Sequence, residues 1–187
     1  MKLVILDRDG VINHDSDQFI KSPEEWQAIP HSLDAIAVLN QYGYKVAVAT
    51  NQSGIGRGLF TMSDLNAIHL KMLKAIREAG GEIEGIWFCP HIAKEHCRCR
   101  KPNTGMVVDI LDRLNGIASR AYMVGDARRD LECIAQEGGK PVLVLTGKGN
   151  KTLKEGALPQ GTQVFDSLWD FAQDLCCLLY TSPSPRD

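Results

Sequence analysis

In Lys2-Leu3-Val4-Ile5-Leu6-Asp7-Arg8-Asp9-Gly10-Val11-Ile12-Asn13 four consecutive apolar residues, Leu3 to Leu6, run into two carboxylates and a glycine. An apolar run this short, closed by a turn signal, reads as a strand buried on both faces, and such strands belong to parallel sheets. Four further runs of the same kind follow, Lys45 to Ala49, Ile83 to Cys89, Ala121 to Val124 and Pro141 to Leu145. Between them Ser32 to Tyr42, Ser63 to Ala79, Thr104 to Leu114 and Arg129 to Glu137 repeat apolar residues three and four apart, the period of a helix that lays one face on a sheet. Ser32, Ser63 and Thr104 are of the types that cap helix N-termini, and a last helix is expected over about Ser167 to Leu175. The alternation predicts an α/β fold of three layers, a Rossmann-like parallel sheet with helices on both sides.

The chain has 187 residues, enough for one good core, and a single domain is expected over 1–175. With 21 Lys plus Arg against 23 Asp plus Glu and no basic block, it carries no electrostatic footprint for nucleic acid or an anionic membrane. The N-terminal apolar run is too short for a signal peptide or a membrane span, so a cytoplasmic, monomeric protein is expected. Thiols stay reduced in that compartment. Six cysteines, three of them from Cys89 to Cys99, therefore point to a metal site before a disulfide framework. Residues 176–187 carry two prolines and no helical period; they are expected to be unstructured, resembling translated adapter sequence, or else to form a flexible tail.

Ligands of open α/β sheets bind beyond the carboxyl ends of the strands, where Asp7 and Asp9 stand. Strand alternation sends both carboxylates to one side, and Gly10 lets the chain turn away. Two like charges so close repel unless a cation lies between them, and hard oxygen ligands suit Mg²⁺. Taken alone, Asp-x-Asp-Gly is as readily a turn. Three other segments change the balance: Thr50-Asn51-Gln52-Ser53-Gly54 closes the second strand, Gly125-Asp126-Ala127-Arg128-Arg129-Asp130 follows the fourth, and Arg100-Lys101-Pro102 precedes a helix. They add a hydroxyl, a cation and another carboxylate, in an order that resembles the haloacid dehalogenase superfamily of phosphatases. The resemblance implies a Mg²⁺-dependent phosphomonoesterase with Asp7 as nucleophile and Asp9 as general acid. Thr50 and Lys101 would steady the transferring phosphoryl group, and Asp7, Asp126 and the backbone carbonyl of Asp9 would hold Mg²⁺. Asp130 is divided between supporting that site and easing a helix dipole. Arg8 either faces substrate or is solvated.

Cys89-Pro90-His91, five residues, then Cys97-Arg98-Cys99 offers three thiolates and an imidazole, a set that suits tetrahedral Zn²⁺. Four protein ligands at Cys89, His91, Cys97 and Cys99 leave no open position, so this zinc is expected to fix the loop that presents Arg100 and Lys101. His96 is a competing ligand. Two or three buried thiols without metal are the plainer alternative.

Asp-Arg-Asp-Gly-Val-Ile-Asn, Thr-Asn-Gln-Ser-Gly-Ile-x-Arg-Gly, the Cys-Pro-His…Cys-x-Cys-Arg-Lys-Pro loop and Gly-Asp-x-x-x-Asp are together similar to the heptose bisphosphate phosphatase family, over roughly residues 2–175. That likeness implies removal of a 7-phosphate from a heptose 1,7-bisphosphate, a step toward ADP-heptose and lipopolysaccharide core. Histidinol-phosphate phosphatase domains share the zinc loop and the motifs. The stretches from Asp9 to Thr50 and from Thr50 to Lys101 are filled by the elements already named, so no cap domain is expected. The sugar phosphate must then be gripped by loops, with Asn13, Asp15, Gln18, Asn51, Gln52, Ser53, Arg57 and Arg100 as candidates, the arginines for a second phosphate. Gly54-Ile55-Gly56-Arg57-Gly58 imitates a dinucleotide loop, but the required third glycine falls at Leu59. These glycines are expected to bring backbone N–H groups up to the substrate. Two other classes compete: a catalytically silent, zinc-stabilised interaction protein, and an enzyme of nucleic-acid phosphate ends, which the charge balance disfavours.

Overall fold

The computed structural model describes residues 1–180. Six strands, β1 (Lys2–Leu6), β2 (Tyr44–Asn51), β3 (Ile86–Cys89), β4 (Ala121–Gly125), β5 (Lys140–Val144) and β6 (Gln163–Phe165), form one parallel sheet in the order β3-β2-β1-β4-β5-β6. Helices α1 (Ser32–Gln41), α2 (Met62–Glu78), α3 (Gly105–Arg113), α4 (Arg128–Gln136), α5 (Gly149–Glu155) and α6 (Leu168–Tyr180) complete the layers. The opening apolar run shows why both faces are covered. Val4 and Leu6 pack with Ile36, Leu39, Ile68, Met72 and Phe171 of α1, α2 and α6. Leu3 and Ile5 pack with Met106, Val107, Ile110 and Ile134 of α3 and α4. All four are at most 1 % exposed, and each such side chain contributes about 1.5–3 kcal/mol of burial.

The order of strands reverses at β1, which pairs with β2 on one side and β4 on the other. A crevice at such a reversal is where open sheets bind ligands. No cap interrupts the sheet: one 3₁₀ turn (Pro23–Glu25) and α1 lie between β1 and β2, and α2 alone between β2 and β3. Among the described residues no helix is long and apolar enough to cross a membrane.

Differences from the sequence reading have local causes. Two of the three expected caps are elsewhere: Ser32 lies inside α1 and donates its hydroxyl to Ile12 O at 2.6 Å, while α2 is capped by Thr61, which accepts from Asp64 N and receives the Asp64 side chain in return. Thr104 occupies the cap position of α3 without a side-chain cap bond. The short edge strand β6 has only three residues, and Gly149-Asn150 disguises the start of α5. Helix α6 runs on through Cys176–Tyr180, where no structure was expected, and Cys176 is buried against the α1 side of the core. No helix breaker stands between Leu168 and Tyr180, and the first proline of this segment comes only at 183. The rest of that expected tail, 181–187, lies outside the described residues.

Candidate active site

β1 and β4 each release a carboxylate at the reversal point: Asp7 one residue after β1, with its N–H on Val124 O at 3.0 Å, and Asp126 one residue after β4. Gly10 turns the chain at φ 83°, and a Cβ there would collide with the Asp126 carboxylate, so only glycine lets the turn close on that acid. Asp130, in the first turn of α4, joins them. The three are buried, with ligand oxygens within 4.8 Å of one another.

Lys101 enters from the loop before α3 and is 1 % exposed. Its Nζ reaches Asp7 Oδ1 at 3.0 Å, Asp130 Oδ1 at 2.7 Å and Ala49 O at 2.7 Å. Burial alone would neutralise it, but Asp130 and Asp7 hold its proton more tightly than usual. Asp130 performs both of its expected tasks, since Oδ2 also accepts Ala127 N–H at 3.2 Å. Burial, then Asp130, push the Asp7 carboxyl up to about 7 against Lys101 and Arg129. Burial with Asp7 and Asp130 pushes Asp126 up to about 8. Three converging hard carboxylates, which repel one another even beside Lys101 and Arg129, form a set that could hold a divalent ion such as Mg²⁺.

Asp9 has the opposite environment. Its Oδ1 accepts Arg8 Nε at 2.9 Å and Asn13 Nδ2 at 3.0 Å, and Oδ2 accepts Gln52 Nε2 at 3.2 Å. Burial would raise its pKa; the Arg8 guanidinium and these donors hold it below the usual carboxylate range. Arg8 itself is neither solvated nor in the cleft. It is fully buried on the α2 side, where Nη1 meets His69 Nε2 at 3.1 Å.

A cleft of about 170 Å³ opens over these groups, lined by Asp7, Asp9, Asp15, Asn51, Gln52, Ser53, Arg100, Arg129 and Lys148 among others. Several expected substrate contacts are placed differently. Asn13 is buried and its amide is taken up by Asp9 and His14 O, so it holds the acid from below. Asn51 faces the cleft but grips the Lys101 backbone, donating to its carbonyl at 3.1 Å and accepting its N–H at 3.0 Å. Gln52 bridges Asp9 and the Thr50 hydroxyl, at 2.9 Å from the latter. Thr50 is 1 % exposed beneath the cleft. Gln18 lies in an adjoining hollow with His14 and Lys21. Arg57 stands outside the cleft lining with its guanidinium 5.9 Å from the ring centroid of Phe19, a lining residue. The N–H groups of Gly56 and Gly58 are taken up by Pro90 O and Ile55 O and do not face the substrate; Gly56 packs closely against Pro90 O, and Gly58 turns the chain at φ 74°.

Sequence reasoning missed Arg129 and Lys148. The Lys148 N–H donates to Asp126 Oδ2 at 2.9 Å, and its Nζ lies 3.5 Å from Asp15. Thr152 donates to Asp126 O at 2.7 Å and Thr146 to Gly10 O at 2.6 Å, so the segment after β5 braces the turn from behind. The signal was available: this segment also leaves the carboxyl end of a strand.

The thiol cluster forms beside the cleft. Cys89 Sγ lies 3.6 Å from Cys97 Sγ, 3.0 Å from Cys99 Sγ and 3.5 Å from His91 Nδ1, which is 3.3 Å from Cys99 Sγ. Tetrahedral zinc with bonds of about 2.0–2.3 Å sets ligand edges of roughly 3.5–3.8 Å; the Cys89–Cys97 and Cys89–His91 pairs have that spacing and the two pairs to Cys99 are tighter, so the four converge as a set that could hold that ion once Cys99 moves outward. His96 is outside the group. Arg100 follows directly, its N–H 3.4 Å from Cys97 Sγ and its Nη1 3.3 Å from His91 O.

The family described as HAD-hydrolase-like matches residues 98–171. D-glycero-beta-D-manno-heptose-1,7-bisphosphate 7-phosphatase of Neisseria meningitidis serogroup A is 59 % identical over 175 residues, covering 92 % of this chain and 94 % of the relative. Its counterpart in Bordetella bronchiseptica is 52 % identical over 175 residues, covering 94 % and 98 %. Among solved structures, D,D-heptose 1,7-bisphosphate phosphatase from B. bronchiseptica, complexed with magnesium and phosphate, superposes with a TM-score of 0.93 at 51 % identity, covering 95 % of this chain and 99 % of the other. The Burkholderia thailandensis enzyme gives 0.76 at 50 % identity, covering 94 % and 98 %. With such identity along nearly its whole length, the chain belongs to the D-glycero-beta-D-manno-heptose-1,7-bisphosphate 7-phosphatase family of HAD-like phosphatases.

Proposed function

We propose that this phosphatase removes the 7-phosphate of D-glycero-D-manno-heptose 1,7-bisphosphate through an aspartyl phosphate on Asp7. The observation that carries the chemistry is the division of labour between the two acids. Both donors on Asp7, Lys101 Nζ and the Arg8 N–H, fall on Oδ1, which leaves Oδ2 to attack phosphorus. Attack breaks the bond from phosphorus to the sugar oxygen, and that oxygen takes its proton from Asp9. The anionic phosphate raises the proton affinity of Asp9 as it arrives, and Asp9 Oδ2, with one protein donor, keeps a lone pair for the exchange. Asp9 then accepts a proton from the water that hydrolyses the aspartyl phosphate. Lys101 and Thr50 meet the charge on the phosphoryl oxygens. Mg²⁺, held by Asp7, Asp126 and the Asp9 carbonyl, supplies positive charge that lets an anionic nucleophile approach an anionic ester.

The cleft lining supports a sugar with a second phosphate: Arg100 and Arg129 both line it, and Asp15 and Ser53 offer partners for hydroxyls. Residues 1–175 are read as the catalytic unit, acting in the cytoplasm on a small metabolite as a monomer. The test is phosphate release, with Mg²⁺ and with EDTA, from both anomers of the heptose bisphosphate, histidinol phosphate and fructose 1,6-bisphosphate. The heptose bisphosphate should lead by about a hundredfold in kcat/KM, equal to roughly 2.7 kcal/mol of discrimination in the transition state. A lead by histidinol phosphate would reject the substrate and keep the chemistry.

A further inference from the structure

We propose that His69, on α2 and outside the cleft, is a positioning residue for the reaction, acting through Arg8 on the carboxylate of Asp9. The inference rests on the reading of Asp9 as the general acid. Alternation along β1 sends Arg8 to the same side as Val4 and Leu6, into the layer beneath α1 and α2. There the guanidinium is 0 % exposed, and the protein groups it meets are Asp9 at Nε and His69 at Nη1, with Nη2 unpartnered. A planar guanidinium fixed at one corner by a carboxylate can still swing about that contact; a second anchor on another nitrogen fixes its plane. His69 supplies that anchor from a different element, so the orientation of Asp9 is tied to α2 across the layer.

The anchor works only if His69 is neutral with its proton on Nδ1, because an imidazolium cannot accept from a cation. The surroundings enforce this: burial, then the Arg8 charge, push His69 down to about 3. Its ring packs 6.4 Å from that of Phe88 on β3, which leaves Nε2 facing Arg8.

General-acid help matters for an alkoxide leaving group and little for p-nitrophenolate, which departs without a proton; the comparison is made on a single turnover, because the later hydrolysis of the aspartyl phosphate uses Asp9 for either ester. His69→Leu should therefore lower the single-turnover rate of alcohol release from heptose bisphosphate by about tenfold or more with half-saturation within about twofold, while single-turnover release of p-nitrophenolate changes by less than about threefold. His69→Gln, which keeps an acceptor, should restore most of the loss. Equal losses on both esters, or no rescue by Gln, would reduce His69 to packing and overturn the proposal. Asp9→Asn serves as control. If it lacks the same leaving-group selectivity, the reading of Asp9 fails; if it shows the selectivity and His69→Leu does not, the positioning role alone fails. Should the Leu variant not fold, the ring ¹⁵N shifts of His69 in the unaltered chain still decide. A neutral Nδ1–H tautomer at pH 7 supports the anchor, and an imidazolium overturns it.

Discussion

Among the described residues two groups of side chains could hold a metal ion, one in contact with Lys101 and one just before it in the chain, and they are built in opposite ways. Asp7, Asp126 and Asp130 come from two strand ends and a helix start, far apart in sequence, and all are buried. Cys89, His91, Cys97 and Cys99 fall within eleven positions on one strand end and its loop, and three of the four are partly exposed. The sheet assembles the first group whether or not a cation is present, so its repulsion is imposed on the fold. The second is closed by a few polar contacts from Arg100 and Asn103, and Ile92 to His96 contributes one 3₁₀ turn and no buried residue, so an ion bound there would do much of the closing. A cation relieves strain in the one and creates order in the other.

Asp7→Asn should break the first group's chemistry without breaking its geometry. Phosphate release should fall by about four orders of magnitude, with the melting temperature equal or higher because a buried charge is gone. Lys101→Met would do the reverse and leave Asp7 and Asp130 buried without their cation. Urea unfolding in EDTA should show a loss of about 3–5 kcal/mol, together with activity near background. Zinc extraction should sharpen the contrast from the other side. Elemental analysis should give one zinc per chain before treatment; after it, limited proteolysis should cut between Ile92 and Arg98 while circular dichroism stays the same, because none of α1 to α6 lies in that loop.

The smallest effect is on pH. The folded-state pKa values of Asp7 and Asp126 are raised to about 7 and about 8 from 3.8. The folded chain therefore binds protons that the unfolded chain has released, and the stability this gives is full below about pH 4 and lost as pH rises through 7 to 8. Thermal melts in EDTA should be lower at pH 8 than at pH 6 by a few degrees. Adding Mg²⁺ should raise the pH 8 melt more than the pH 6 one. Equal shifts at both pH values would mean that the carboxylates are already ionised in the free chain.

How much of this could be read beforehand follows the same division. The grouping of Cys89, His91, Cys97 and Cys99 was legible because they are neighbours in sequence, although spacing left His96 open as a competitor. Asp7, Asp9, Asp126 and Lys101 were legible because each sits beside a recognisable break in an apolar or helical pattern. The roles of Arg8, Asn13 and Asn51 were not, since each depends on which side chain waits across a layer or at the next strand end, and one-dimensional spacing carries no such information. Arg129 and Lys148 were hidden for another reason: a basic residue at a helix start or in a Gly-Lys-Gly loop is ordinarily solvent-facing. α5 and β6 escaped because two glycines and a three-residue strand leave almost no periodicity to detect.

Asn51 binds both the N–H and the carbonyl of Lys101, so the lysine takes its position from the end of β2 although it is carried by the thiol loop. The loop can therefore be lengthened, shortened or recomposed from Ile92 to His96 while the ammonium group stays registered to Asp7. Descendants of such a chain could trial new sugars at the cleft wall, one loop variant after another, with the phosphoryl-transfer apparatus inherited unchanged.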